Sequence, residues 1–204
     1  MNSQVFPTKG NLLNTKKSLD LAKMGFELMD RKRNILVREM MNLIDKANTI
    51  QYKIDSTYEE AYKSLQIANM TLGICGEIAK TVPVETNLML DFRSVMGVEI
   101  PTVKLKSRNH DIGYGLSNSN SMLDNAYLKF NEVKQLTAQL AEIENSVYRL
   151  ANAIKKTQKR ANALKNIVIP NFTDTVKFIT EALEEKERED FSRMKVIKNT
   201  SGNN

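Results

Sequence analysis

Lys159-Arg160-Ala161-Asn162-Ala163-Leu164-Lys165-Asn166-Ile167-Val168-Ile169-Pro170 is the stretch on which the reading of this chain turns. Ala161, Leu164 and Val168 recur in steps of three and four, the spacing of one face of a helix. Upstream the same stepping runs through Ala126, Lys129, Val133, Leu136, Leu140, Ile143, Val147, Leu150, Ile154 and Thr157. Downstream it continues through Asn171, Thr175, Phe178 and Ala182, while Phe172, Val176, Ile179 and Leu183 offer a neighbouring seam. The spacing therefore predicts a helix over 121–198, opened by a capping box at Ser121-Met122-Leu123-Asp124. Pro170 removes the donor to the Asn166 carbonyl, at about 3 kcal/mol in a helix interior. A kink near Pro170 is expected, or else a break with Asn171 capping a second helix. Residues 199–204 are expected to be a disordered tail.

A helix that long needs an equally long partner, and the N-terminal part of the chain supplies one. After turn chemistry at Pro7-Thr8-Lys9-Gly10, with Asn11 as the expected cap, the stepping runs Leu12, Thr15, Leu19, Ala22, Phe26, Met29, Arg33, Leu36, Met40, Leu43, Ala47, Ile50, Ile54, Thr57, Ala61, Ser64, Ala68, Thr71, Cys75 and Ile78. Seven-residue repeats held over this length imply a left-handed supercoil. Val82-Pro83-Val84 is the expected stop, since a residue before proline is pushed out of the helical region. The N-terminal coiled-coil helix is thus drawn over 1–82.

Residues 83–120 lose the heptad. The runs at 84–91 and 98–106 have strand character, with Pro101 confining its run to an edge. A connecting knob, either a small β-hairpin or an irregular segment, is expected at the bend, outside the seam and so dispensable to it. The fold class is all-α: a long antiparallel two-helix coiled coil, or helical hairpin, with that knob. If the turn centres near residue 100, residues whose numbers sum to roughly 200 lie opposite each other. That register sets Lys16 and Lys17 beside Glu184, Glu185 and Glu187. It also sets Arg33 near Pro170, where it is expected to donate to the freed Asn166 carbonyl.

Composition agrees with thin helix packing. Of 204 residues 41% are apolar but only 6% aromatic, with no Trp, and there are eight Gly and four Pro. The net charge of +6 permits contact with anionic partners. Cys75 is single, so there is no disulfide framework. No phosphate-cradling glycine loop or nucleophile elbow is present, and His110, the one histidine, has no ligand-spaced neighbours. These absences point away from an enzyme, a metal site or a bound cofactor. The basic run Lys155-Lys156-Thr157-Gln158-Lys159-Arg160 lacks interleaved aromatics, which weakens a nucleic-acid reading. No apolar run is long enough to cross a membrane.

Three stretches together carry a resemblance. Pro7-Thr8-Lys9-Gly10-Asn11-Leu12 leads into Leu28-Met29-Asp30-Arg31-Lys32-Arg33-Asn34-Ile35-Leu36-Val37-Arg38-Glu39, and the opening stretch is followed by Leu183-Glu184-Glu185-Lys186-Glu187-Arg188-Glu189. The chain resembles the D subunit of V-type or A-type rotary ATPases over nearly its whole length. The resemblance implies a non-catalytic central rotor shaft. Its terminal half would sit within a ring of catalytic and nucleotide-binding subunits, and its other half against the small F subunit and a membrane-ring adaptor. It implies a cytoplasmic location, peripheral on the membrane through the complex, with no cofactor, no nucleic acid and no membrane insertion. The shortness of the C-terminal tail points to a prokaryotic member. Lys16, Lys17, Arg31, Lys32, Arg33, Pro170, Glu184, Glu185 and Arg188 are the candidate partner contacts. A free-standing coiled-coil scaffold is the alternative.

Overall fold

The structure, a computed structural model, describes residues 6–105, 114–115 and 119–201. His110 lies outside them. Helix α1 spans Lys9–Leu72 and is followed by the short helix α2, Gly76–Thr81. Strands β1, Leu88–Val95, and β2, Val98–Leu105, form an antiparallel hairpin. Helix α3 is Ser121–Ala163, a π-turn occupies Leu164–Val168, and helix α4 is Ile169–Ser201. The fold is the expected helical one with a small β-hairpin. It divides into two compact units, Met1–Asn34 with Lys155–Asn204, and Ile35–Ile154.

Both long helices are capped earlier than expected, α1 by three residues and α3 by one. Thr8, not Asn11, caps α1: its hydroxyl accepts from the Asn11 N–H at 3.2 Å and its carbonyl from Leu12 at 2.9 Å. At α3 the cap is Asn120, whose side chain accepts from Met122 N–H. Asp124, the intended partner of a capping box, instead receives the Tyr114 hydroxyl at 2.5 Å. Helix α1 also stops at Leu72, short of Val82-Pro83. Gly73 makes the stop, with φ of +82° and its N–H on the Asn69 carbonyl, a left-handed terminus that a side chain would strain. The Asn69 amide oxygen then accepts from Cys75 N–H at 3.2 Å, tying down the start of α2.

In the unit of residues 35–154, α1 and α3 pack antiparallel. Every buried position of α1 in this unit lies on the expected seam: Leu36, Leu43, Ile54, Thr57, Ala61 and Ala68. On α3, Ala126, Val133, Ile143 and Leu150 answer them. The register differs from the expected one. Glu60 pairs with Lys129 at 2.7 Å, so facing numbers add to about 190 rather than 200, as the antiparallel geometry of a coil reads out directly. Helix ends at Leu72 and Ser121 put the centre of the connection before residue 100, which is the cause of the offset. The corrected register gives Glu60 a cation for a neighbour, where the expected one put it near Glu142 and Glu144.

The β-hairpin does not stand clear of the coil. Ile100, about 1% exposed, packs with Leu36, Leu43, Ile143 and Leu150 in one cluster, and Val95 and Val98 join it. The dispensability expected of this segment is thereby corrected: its side chains complete the coil's own core. The turn needs left-handed backbone at Met96 and Gly97, with φ of 51° and 76°, the signature of a two-residue turn between twisted strands. The outer edge of β2 is taken up by α3. Glu142 accepts from Val103 N–H at 2.7 Å and Arg149 donates to the Glu99 carbonyl at 3.3 Å. Pro101 belongs to the same outward-facing set of residues, opposite Phe92, so its missing N–H costs no rung of the ladder.

In the other unit, α1 residues up to Asn34 pack against the chain from Lys155 onward. Gly25 faces Leu164, and the Lys165 ammonium lies 5.9 Å from the centre of the Phe26 ring. Ala22, Thr157 and Ala161 are buried as the spacing predicts. At Leu164–Val168 the helix widens by one residue, the Ile169 N–H bonding to the Leu164 carbonyl, and then continues without a break. The extra residue moves the seam. Beyond the π-turn Ile179 is fully buried while Phe178 is 57% exposed, and Phe172, Val176 and Leu183 are half-buried, as are Thr175 and Ala182. The most buried position has moved from Phe178 to its neighbour.

Candidate interaction surface

All nine candidate contacts fall in the terminal unit. The structure does not gather them at one point. Lys9, rather than Lys16 or Lys17, meets the acidic run, pairing with Glu187 at 3.0 Å. Numbers facing each other here add to about 196, so the acidic run lies a few residues nearer the start of α1 than expected. Among the described residues neither Lys16 nor Lys17 makes an ion pair, and both are exposed. Glu185 pairs with Arg188 at 3.6 Å, and Glu184 is exposed.

Arg33 is also not where expected. Its guanidinium holds Asp30 at 2.7 Å, the Gln158 amide oxygen at 2.9 Å and Asn34 at 3.3 Å. Its partner across the coil is therefore three turns before Pro170, and the Asn166 carbonyl is not its acceptor. Half-buried, Arg33 ties α1 to α3 by charge-assisted bonds, which is why a charge is tolerated at a seam position. Arg31 reaches Glu27 only at 3.8 Å and stays exposed, while Lys32 is half-buried. Pro170, the second residue of α4, is exposed.

One feature escaped the heptad reading. Leu21, Met24 and Leu28 are 65%, 54% and 64% exposed, and they follow one another in steps of three and four. Lys17 and Arg31 continue the same stepping at either end, so α1 carries a second stripe, apolar in its middle and basic at its ends. Leu21, Met24 and Leu28 thus form a row of large apolar side chains that the chain itself leaves uncovered. The signal was present in the sequence as a second periodic row two positions behind the seam.

The other unit offers different surfaces. A groove of about 610 Å³ lies between the end of α1, α2 and the start of α3, floored by Leu65, Ile78, Leu123 and Phe130. Beside it Tyr58 stacks on Tyr62 at 5.9 Å, and Tyr62 meets the edge of Phe130 at 5.5 Å. Burial and the Asp124 carboxylate both hold the Tyr114 phenol well above the usual range. Hydrogen bonding to Glu60 raises Lys129, and the Asp91 bond raises Lys104 in the same way. None of these groups is poised near neutrality, as acid–base chemistry would need. Among the described residues there is no cluster of three or more metal-ligating side chains, and no helix is long and apolar enough to cross a membrane.

Comparison with known proteins gives one consistent result. The family model for the ATP synthase D subunit matches residues 11–199. The chain is 45% identical to the V-type ATP synthase D subunit of Thermotoga neapolitana, over 95% of this chain and 97% of that one. It is 38% identical to the A-type ATP synthase D subunit of Thermococcus kodakarensis, over 95% and 93%. Against the A-type D subunit of Pyrococcus horikoshii the identity is 36%, over 96% and 94%. Matched along almost its entire length, the chain belongs to the family of ATP synthase D subunits, which are non-catalytic parts of V-type and A-type rotary ATPases.

Proposed function

We propose that this chain is the central rotor shaft of its motor, relaying torque between ATP hydrolysis or synthesis in a catalytic ring and ion movement in the membrane ring. The observation that carries the reading is the exposed stripe Lys17, Leu21, Met24, Leu28 and Arg31 on the terminal unit. A shaft turning inside a ring needs an outward face that the coil itself does not consume. It must adhere through apolar contact and yet slide, and a short apolar row with cations at its ends suits acidic loops on the ring. Lys16, Lys32, Pro170, Glu184, Glu185 and Arg188 lie on the same unit and are proposed to contribute to that bearing. Asymmetry of the face lets the shaft favour a different conformation at each catalytic interface as it turns. The groove and the tyrosine cluster of the other unit suit the small F subunit and the membrane-ring adaptor, holding the shaft peripherally on the inner face of the membrane.

The test is reconstitution with the remaining motor subunits. Leu21→Glu with Leu28→Glu should leave the isolated chain's helicity and melting unchanged, because both residues are solvent-exposed. The variant should fail to assemble with the ring, or assemble with ATPase activity uncoupled from rotation. Full assembly and coupling would instead remove this face from the bearing. A free-standing scaffold would run as a monomer or dimer outside any complex and leave ATPase activity intact when deleted.

A further inference from the structure

We propose that the π-turn at Leu164–Val168 is a register joint, at which one residue enters or leaves the helix, and that Pro170 holds it in the state seen. The helix offers two seams beyond this point, one residue apart. The continuous seam is Asn171, Thr175, Phe178 and Ala182; the neighbouring one, Phe172, Val176, Ile179 and Leu183, holds the one fully buried position among them, Ile179. Without the π-turn, the phase set upstream by Thr157 and Ala161 would dock the first set. With it, the stretch beyond is turned by one residue, about 100° of helix. Ile179 goes fully inside and Phe178 is left 57% exposed.

Pro170 sits where the two states differ most. In a straight α-helix its nitrogen would face the Asn166 carbonyl, with no hydrogen to offer and a ring that clashes. The π-turn already leaves one backbone acceptor without its usual donor, since Ile169 reaches back five residues to Leu164. Proline placed directly after that bond costs little there, and much in the straight helix. The side chains act in the same direction, because Phe172, Val176 and Leu183 are more apolar than Asn171, Thr175 and Ala182. Proline and the preferred seam are two separable biases on one equilibrium. Shifting it exchanges Phe178 for Ile179 on the outer face, changing what this end of the molecule shows to any partner. The joint is a property of the isolated chain and does not rest on the shaft reading.

The chain has no tryptophan, so Phe178→Trp gives a single indole at an exposed position whose quenching by acrylamide reads the seam. In the parent background the indole should be freely quenched. Adding Pro170→Ala raises the straight-to-π ratio by about a hundredfold, the factor matching proline's ordinary penalty in a helix interior. Adding Asn171→Leu, Phe172→Asn and Thr175→Val as well makes the continuous seam the more apolar one. In that variant the indole should be protected, with helicity by circular dichroism equal to the parent. Free quenching with full helicity would overturn the proposal. A deletion of Lys165 supplies the complementary case. Made together with Pro170→Ala, it removes the extra residue, so the helix should run straight while keeping Ile179 inside and the indole exposed. Protection of the indole in the deletion variant would show that the π-turn does not set the seam.

Discussion

Replacing Ile100 by alanine measures how far the β-hairpin belongs to the coil. The side chain is about 1% exposed and touches Leu36 and Leu43 of α1 and Ile143 and Leu150 of α3. Truncation removes three carbons, each contributing roughly 0.8 kcal/mol by transfer, and leaves a cavity whose walls belong to two stiff helices. The expected cost is about 3 kcal/mol, and for a chain of this size that corresponds to a fall in melting temperature of roughly 10 °C. Leu90→Ala on β1 is the control. It is 57% exposed, so its cost should stay within about 0.5 kcal/mol. Urea unfolding followed at 222 nm gives both values, provided the slopes agree between variants. Equal, small losses for the two substitutions would refute the inclusion of the hairpin in the core. They would also restore residues 83–120 to the status of a detachable knob.

Other outcomes follow from single residues. Arg33→Ala breaks the bonds to Asp30 and Gln158 in a half-buried setting, and should cost roughly 1.5–3 kcal/mol in the same unfolding assay. A neutral result would mean the guanidinium is replaceable by water. Gly73→Ala places a side chain at φ of +82°, so a loss of about 1 kcal/mol is expected, with the opening of the α1 terminus seen by hydrogen exchange. Tyr114 gives a pH prediction. Its folded pKa is raised, by burial first and Asp124 second, so the stability it contributes is fully present below the ordinary tyrosine pKa near 10. That stability is lost as pH rises from there toward the higher folded value. Spectrophotometric titration at 295 nm should show one late phenol that disappears in Tyr114→Phe.

The seam was almost wholly legible in the sequence, because burial in a two-helix coil depends only on phase and phase is periodic. Leu36, Leu43, Ile54, Ala61 and Ala68 needed nothing beyond counting. What counting could not supply was register, since sliding one helix along the other by whole turns leaves each phase unchanged. Register is set by where the helices end, and those ends turn on local backbone: a left-handed Gly73 in place of the more conspicuous Pro83, and Asn120 in place of Ser121. The misplacement of Arg33 follows from that offset. Pro170 was visible as a disturbance, but proline is compatible with a kink, a break or an inserted residue. Only the burial of Ile179 over Phe178 decides among them. The stripe at Leu21, Met24 and Leu28 was hidden because its period equals that of the core seam, and one helix was read for one face.

The seat of Cys75 has a practical consequence. The thiol is about 6% exposed, its sulfur near the Gly73 carbonyl at 3.4 Å and its backbone held by Asn69. While this end of the molecule is closed, a bulky alkylating reagent has no access to it. Its rate of modification therefore reports the openings, local and global, that uncover the α1–α2 junction. A chain with this one cysteine in that place carries its own stopwatch for that junction, and it needs no added label.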